Sequence, residues 1–120
     1  MADPNIFNTT LITGNTAVQN VTTVLTAVVS NAAASGRVYR VNTLMVSNVD
    51  PTLAADITVD VFRSSIAYRL ASTITVPPDA SLVVISKENS IYLQEGDSLR
   101  CAASANNDLI AVCSFENIGI

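Results

Sequence analysis

The stretch Ala55-Asp56-Ile57-Thr58-Val59-Asp60-Val61-Phe62 decides the fold class of this chain. Its apolar residues Ile57, Val59 and Val61 alternate one by one with polar residues. A period of two residues is that of a β-strand with one face in the core and the other in water. We therefore predict a strand here that is covered on one side only.

Most of the remaining chain has the same character. Val, Ile and Thr make up 37 of the 120 residues, and these β-branched types suit a pleated sheet better than a helix. The alanines of the segment Asn31 to Ser35 favour a turn of helix, but five residues are too few to nucleate one, so we expect a loop. The segment Ile66 to Val76 is predicted to be a second strand, with one face formed by Ile66, Tyr68, Leu70, Ile74 and Val76.

Clusters of Gly, Pro, Asn and Asp separate the apolar runs at roughly eight to fifteen residues. Turns at this spacing between short strands indicate a sandwich or barrel rather than βαβ units, and 120 residues suit one domain. We predict an all-β, single-domain antiparallel β-sandwich of about eight strands, with a jelly-roll-like arrangement. The domain is expected to span residues 17–120 and to follow an N-terminal arm of residues 1–16.

The composition is unusual in its charge. Only 13% of the residues are charged, about half of the roughly 25% that is typical of soluble domains. The chain has no His, which is the commonest general base and metal ligand near neutral pH. We therefore expect no catalytic residues, no metal, no cofactor and no enzymatic activity.

The net charge limits the partners. A formal charge of −4 and a pI near 4.4 oppose binding to phosphate backbones, which requires clustered Lys and Arg. No apolar run approaches the ~18 residues of a membrane-spanning helix, and the N-terminus lacks a basic stretch followed by an apolar one. We expect no nucleic acid and no membrane partner, and no secretion by a signal peptide.

The segment Asn5 to Gly36 contains no Asp, Glu, Lys or Arg over 32 residues. A surface strand normally carries charges that prevent pairing with other chains. Two interpretations remain open: the segment packs on another copy or a larger assembly, which we favour, or it is a central strand pair covered by its own monomer. The candidate interface residues are Ile6, Phe7, Leu11, Ile12, Val18, Val21, Val24 and Leu25, with Ile118 and Ile120 at the C-terminus.

Two acidic groups are candidate sites. Asp56 and Asp60 lie on one side of a strand but about 13 Å apart, beyond the ~5–9.5 Å that glycosidase carboxylates use. We therefore interpret them as a solvated strand face. Glu95-Gly96-Asp97 is interpreted as a turn, because Gly supplies the positive φ that such a turn requires.

Cys101 and Cys113 lie in neighbouring predicted strands joined by a turn near Asn106-Asn107-Asp108. They face each other if that loop has three residues, and are one step out of register if it has two or four. Synthesis in a cytosol favours free, buried thiols. The sequence leaves open whether the two cysteines are joined.

Six segments carry a family resemblance, namely Gly36–Asn42, Val46–Asp50, Ala55–Val61, Val83–Lys87, Ile91–Leu99 and Ala103–Leu109. Together, over about residues 36–116, they resemble small virion structural proteins of tailed phages that infect marine cyanobacteria. The resemblance implies a capsid decoration or cement protein that forms a homo-oligomer, most commonly a trimer, and docks on the phage major coat protein or another virion protein. It also implies location in the virion after assembly in the host cytoplasm, and it transfers no catalytic residues.

Two other functions stay open at this point. A neck, tail or fibre-adaptor component differs from a shell protein in its number of copies per virion. A host-glycan-binding module would have its site in the loops Asp50 to Leu53 and Arg63 to Ser65, although the absence of Trp disfavours it.

Overall fold

The alternating stretch and its neighbours form strands in the computed structural model, which describes residues 11–119. A short 3-10 helix, Lys87–Asn89, lies between the sixth and seventh strands. The nine strands of the described residues are β1 Leu11–Asn20, β2 Thr26–Ser30, β3 Arg37–Asn48, β4 Ala55–Arg63, β5 Ile66–Val76, β6 Ser81–Ile85, β7 Ile91–Leu93, β8 Ser98–Ala103 and β9 Leu109–Gly119.

The strands pair into two antiparallel sheets. One has the order β1-β9-β3-β6, with β7 pairing a different part of β3, and the other has the order β2-β8-β4-β5. The predicted antiparallel β-sandwich is confirmed. The Asn31 to Ser35 segment is a loop, as expected.

The core lies between the sheets and is built from the inward-facing residues of the alternating strands. Ile57 and Val59 of β4 are fully buried in one cluster with Leu44 of β3 and Leu109 of β9. Burying a side chain of this size contributes about 1.5–3 kcal/mol. The two-residue period that defined the strand therefore also supplies the apolar layer that holds the sheets together.

Two buried asparagines, Asn31 and Asn48, fasten loops to the ends of strands. The side-chain nitrogen of Asn31 donates to the carbonyl oxygens of Arg37 and Leu93 at 2.9 and 3.0 Å. Asn48 donates in the same way to Leu53 and Val76, both at 3.0 Å. Buried amides are stable only when hydrogen-bonded, so these two residues hold the loops in place.

Only Val76 of the predicted apolar face of β5 is buried, and Ile66, Tyr68, Leu70 and Ile74 are exposed. Register shifts between β4 and β5 align Val59 with Ala71 and Asp60 with Arg69. Ala71 is therefore buried and Leu70 is 43% exposed. A bulge inserts an extra residue and reverses the alternation beyond it, which a strict two-residue period cannot anticipate.

The two cysteines do not lie on a hairpin, contrary to the sequence prediction. Cys101 belongs to β8 and Cys113 to β9, and these strands are in opposite sheets. The segment 104–108 crosses from one sheet to the other. Both cysteines are free and buried.

The expected arm overlaps the first strand. Residues 11–16 belong to β1 and pair with β9, with Leu11 opposite Gly119 and Thr16 opposite Ser114. The described sandwich therefore begins at Leu11 and not after residue 16. Residues 1–10 of the expected arm lie outside the described residues.

Candidate functional site

The described part of the uncharged segment, residues 11–36, lies along one side of the sandwich. β1 is the outermost strand of its sheet and β2 is the outermost strand of the other. The interpretation as a central strand pair is therefore wrong, because each strand has a paired neighbour on one side only within residues 11–119.

Four candidate interface residues are exposed on this side. The exposed fractions are 49% for Leu11, 59% for Ile12, 69% for Val18 and 68% for Val24. Leu25, which follows Val24, is half-buried. We call this uncharged, apolar surface of β1 and of residues 24–25, directly before β2, the N-terminal edge.

Two other candidates are not on the free surface. Val21 is 1% exposed and belongs to the chain's own core, where its N–H donates to the carbonyl oxygen of Leu109 at 2.9 Å. Ile118 pairs with Ile12 across the strands and is 5% exposed. Their prediction as interface residues is corrected, since the chain itself covers them. Ile6, Phe7 and Ile120 lie outside the described residues.

A second exposed apolar surface lies at the opposite side of the sandwich. A cleft of about 450 Å³ is lined by Val61, Arg63, Tyr68, Ile91 and Tyr92. Tyr68 and Tyr92 are each about half exposed, at 52% and 46%. The cleft joins the end of the β4–β5 hairpin to β7, so it depends on a long-range arrangement that the sequence pattern does not report.

An ion pair stands where a solvated strand face was expected. Asp60 is fully buried and accepts two hydrogen bonds from Arg100, at 2.8 and 2.9 Å. The guanidinium carbon of Arg100 lies 4.0 Å from the ring centroid of Phe62, a cation–π contact. The hydrogen bond to Asp60 raises the pKa of Arg100. The solvated interpretation is therefore wrong for Asp60.

The Glu95-Gly96-Asp97 segment is a turn, as predicted. Gly96 has φ of +87°, which Gly adopts without strain. Asp97 is buried and accepts the N–H of Gln94 at 2.8 Å and a bidentate contact from Arg63 at 2.8 and 2.5 Å. The carboxylate closes the turn and ties it to the end of β4.

The polar side chains of the loops expected for glycan contact form hydrogen bonds and an ion pair within the chain. In the first loop, Asp50 accepts hydrogen bonds from the N–H groups of Thr52 and Leu53, at 2.8 and 3.1 Å. The bond from Thr52, followed by that from Leu53, lowers the pKa of Asp50. Arg63, in the second loop, pairs with Asp97.

The thiols of Cys101 and Cys113 have low reactivity near neutral pH. Burial raises the pKa of Cys101 to about 12, with smaller contributions from Cys113 and Asp60, and burial raises that of Cys113 to about 12. The thiolate is the reactive form of cysteine, so neither residue is a nucleophile near neutral pH.

No group of three or more His, Cys, Asp or Glu side chains in residues 11–119 is placed to hold a metal ion. In the same part of the chain, no helix has the length and apolar character needed to cross a bilayer.

Comparison with known proteins identifies similar folds. No family model and no curated protein matches the chain. A solved structure of the Bacillus endospore appendages, described as disulfide-linked pili, matches with a TM-score of 0.54 and 12% identity, over 92% of this chain and 88% of that one. At this identity the likeness is one of fold alone.

Two structures of a pentameric capsid protein isolated from metagenomic phage sequences also match, with TM-scores of 0.43 and 0.41 and identities of 18% and 17%. Each match covers 85% of this chain. This chain spans 59% and 61% of those proteins.

Proposed function

We propose that this chain is a non-enzymatic structural protein of a phage virion, a decoration or cement protein that oligomerises and docks on the coat shell. The observation that carries the proposal is the N-terminal edge. Exposed apolar surface without any charge is a liability in a monomer and typical of a surface that another chain covers. In the described part of the chain, Ile12 and Val18 lie exposed on the outer face of β1, and Leu11 is exposed at the start of the same strand.

The strand order supports a jelly roll, a fold of viral capsid domains. Counting along the chain, β1 and β3 lie in one sheet while β2 and β4 lie in the other. β8 and β9 then return to the middle of the two sheets. We infer a double-sheet jelly roll, in which β1 to β4 alternate between the sheets, β4 and β5 form a hairpin within one sheet, and β6 and β7 both pair with β3 in the other.

The resemblance over about residues 36–116 supports the same role independently of the N-terminal edge. It lies in segments from β3 to β9, whereas the N-terminal edge belongs to the segment before residue 36. The resemblance also favours location in the virion after assembly in the host cytoplasm, with the major coat protein as the partner.

A binding assay on empty capsids tests the proposal. Deletion of residues 1–16 removes the expected arm and the first half of β1, and we expect it to abolish capsid binding. Replacing Ile12 and Val18 by Thr keeps the strand but removes two exposed apolar side chains, and we expect weaker binding. The matched control is Leu70→Thr, an exposed apolar position on β5, which is expected to bind normally. Full binding by the deletion variant would overturn the role of this edge.

Copy number in purified virions decides between the shell and the alternative position in the neck, tail or fibre. Hundreds of copies are expected for a shell protein, and a dozen or fewer would place the chain in the neck or tail. A glycan array tests the third function, and binding there would replace the structural role by host recognition.

A further inference from the structure

We propose that β1 pairs with β1 of a second copy of this chain, antiparallel and about a two-fold axis at Asn15, so that two sheets join into one. The contact is an interaction surface of the purified chain. It uses the same N-terminal edge as the proposed docking and so rests on the proposed function, but it is measured on the purified chain without capsids, so that loss of the dimer and loss of capsid binding are distinguished.

The open edge of β1 is defined by its hydrogen bonds to β9. The N–H of Val21, directly after β1, donates to the carbonyl oxygen of Leu109, and the register from Leu11 to Asn20 has no shift. Backbone groups of successive strand residues point in opposite directions. The N–H and C=O groups of the odd-numbered residues therefore point towards β9. Those that point away from β9, in the plane of the sheet, belong to Ile12, Gly14, Thr16, Val18 and Asn20.

Every other outer strand in residues 11–119 carries a feature that opposes pairing with another chain. β2 is five residues long and its pairing is irregular between Ala27 and Val29. β5 carries Arg69 and two register shifts. β6 and β7 have five and three residues. β1 is ten residues long, straight in register, and has no charge and no Pro, and such edges are open to pairing.

The sequence of β1 is complementary to itself about Asn15. When two strands pair, residues on one face of the sheet lie opposite residues of the same face. A two-fold axis normal to the sheet must therefore lie midway between the two copies of one residue. An axis through Asn15 brings Ile12 of one copy opposite Val18 of the other, twice. These are exposed apolar residues of the outer face, and such cross-strand pairs stabilise a sheet.

The backbone geometry suits the same axis. The dimer would form hydrogen-bonded pairs between Ile12 and Val18 and between Gly14 and Thr16, because the N–H and C=O groups of all four residues point away from β9. Each pair exchanges two bonds, and four such pairs across the axis make about eight. A Cβ at Gly14 would meet nothing within 4 Å, so the described residues leave the face of β1 open at this position.

The strand of the facing sheet that lies beside β1 adds no charge repulsion to the proposed contact. β2 lies beside β1 in the facing sheet and, like β1, has no charged residue. Two copies brought together at β1 therefore approach through surfaces without like-charge repulsion. A two-fold contact produces pairs of chains, and so differs from the trimer that the family resemblance implies.

A cysteine cross-link tests the axis. Asn15 is exposed and would lie opposite itself in a non-hydrogen-bonded pair, with Cα atoms about 4.5 Å apart, within the range of a disulfide. Mild oxidation of Asn15→Cys is expected to give a covalent dimer. The matched control Thr13→Cys would place its two Cα atoms about 14 Å apart and is expected to give none. The native Cys101 and Cys113 are buried and do not interfere.

The mass of the unmodified chain in solution completes the test. Light scattering or sedimentation is expected to give twice the 12.6 kDa of one chain. A monomer across the concentration range would overturn the proposal and favour a strand of another protein at this edge. A trimer would overturn the two-fold axis, and equal cross-linking of both cysteine variants, or none in folded Asn15→Cys, would overturn the register.

Discussion

β1 and β5 are both outer strands of similar length, ten and eleven residues, and both expose large apolar side chains. They differ in how they meet their neighbours. β5 follows β4 through two register shifts and carries Arg69, whereas β1 runs beside β9 in unbroken register without any charge. Bulges and charges prevent an outer strand from pairing with another chain. Equal exposure of apolar side chains therefore does not imply equal ability to pair: β5 is a protected edge strand, whereas β1 is free to pair with a strand of another chain.

The two strands are also attached to the sandwich differently. Next to β5, the buried Asp60 of β4 is held by Arg100 of β8 and lies opposite Arg69. β1 is attached by its backbone ladder to β9 and by small inward residues such as Ala17. Electrostatic changes should therefore act on the β4–β5 side, and backbone changes on the β1 side.

The largest effect is expected at the buried ion pair. Arg100→Ala leaves the carboxylate of Asp60 buried without its partner, which should lower the free energy of unfolding by about 3–5 kcal/mol. The matched control is Arg69→Ala, which removes an exposed arginine aligned with the same carboxylate. Chemical denaturation monitored by circular dichroism measures both. A loss for Arg69→Ala as large as that for Arg100→Ala would contradict the assignment.

Proline substitutions test the direction of the backbone groups in β1. Ala17→Pro removes an N–H that pairs with β9 and should cost about 1–3 kcal/mol, the penalty of leaving a buried acceptor unpaired. Thr16→Pro removes an outward N–H, which an edge strand tolerates, and should change stability by less than about 1 kcal/mol. The same variant should abolish dimer formation, while Thr16→Ala retains it. Reversed stabilities of the two proline variants would mean that the odd-numbered residues face outward.

Single lysines compare the two edges directly. Val18→Lys would place a charge opposite Ile12 of the second copy at two symmetric positions, and should raise the dimer dissociation constant at least about tenfold, or ~1.4 kcal/mol. Leu70→Lys introduces the same charge on β5 and should leave the dissociation constant unchanged. Sedimentation at several concentrations measures both constants. Equal weakening by the two lysines would remove the distinction between the edges.

The smallest effect concerns the thiols and alkaline pH. The pKa values of Cys101 and Cys113 are about 12 in the folded chain, against 9.0 for an unperturbed cysteine thiol. The unfolded state therefore loses protons first, and stability falls as pH rises through 9 towards 12, with about 0.4 kcal/mol per thiol already lost at pH 9. Urea denaturation at pH 7 and pH 9 tests this. Cys113→Ala should reduce the slope, and a rise in stability with pH would contradict it.

The same thiols report on opening of the two sides. Cys113 lies opposite Ala17 of β1, while Cys101 lies opposite Val59 of β4. Thiol labelling at neutral pH should be slow at both and faster at Cys113 in Ala17→Pro, because that variant loosens β1.

Much of the fold could be predicted from local pattern. The alternation in residues 55–62 identified β4, and β-branched content together with turn spacing indicated a sandwich. The reversal at Ala71 and the position of Ile91–Leu93 as a separate strand on β3 depend on bulges and pairings between distant segments. The interpretation of Asp60 was wrong for the same reason, since its partner Arg100 is 40 residues away.

The N-terminal edge, too, could be predicted only in part from the sequence. The absence of charge from Asn5 to Gly36 predicted a surface that meets another chain, and Leu11, Ile12, Val18 and Val24 are exposed. Val21 has the same chemistry but is buried, because it continues the odd-numbered, inward-facing positions of β1 and its N–H pairs with Leu109. The two-residue period places Val18 and Val21 on opposite faces, but only the packing of the sheets decides which of the two faces is covered.

Three properties can be read from the residues alone: the chain forms strands covered on one face, it contains no His for catalysis, and it is uncharged from Asn5 to Gly36. These properties follow from residue type and from a two-residue period, which are local. The packing of the two sheets makes β1 outermost, directs the N–H and C=O groups of its even-numbered residues away from β9, and buries Asp60. Those outcomes depend on which distant strands become neighbours, and this is set by packing of the two sheets over the whole chain.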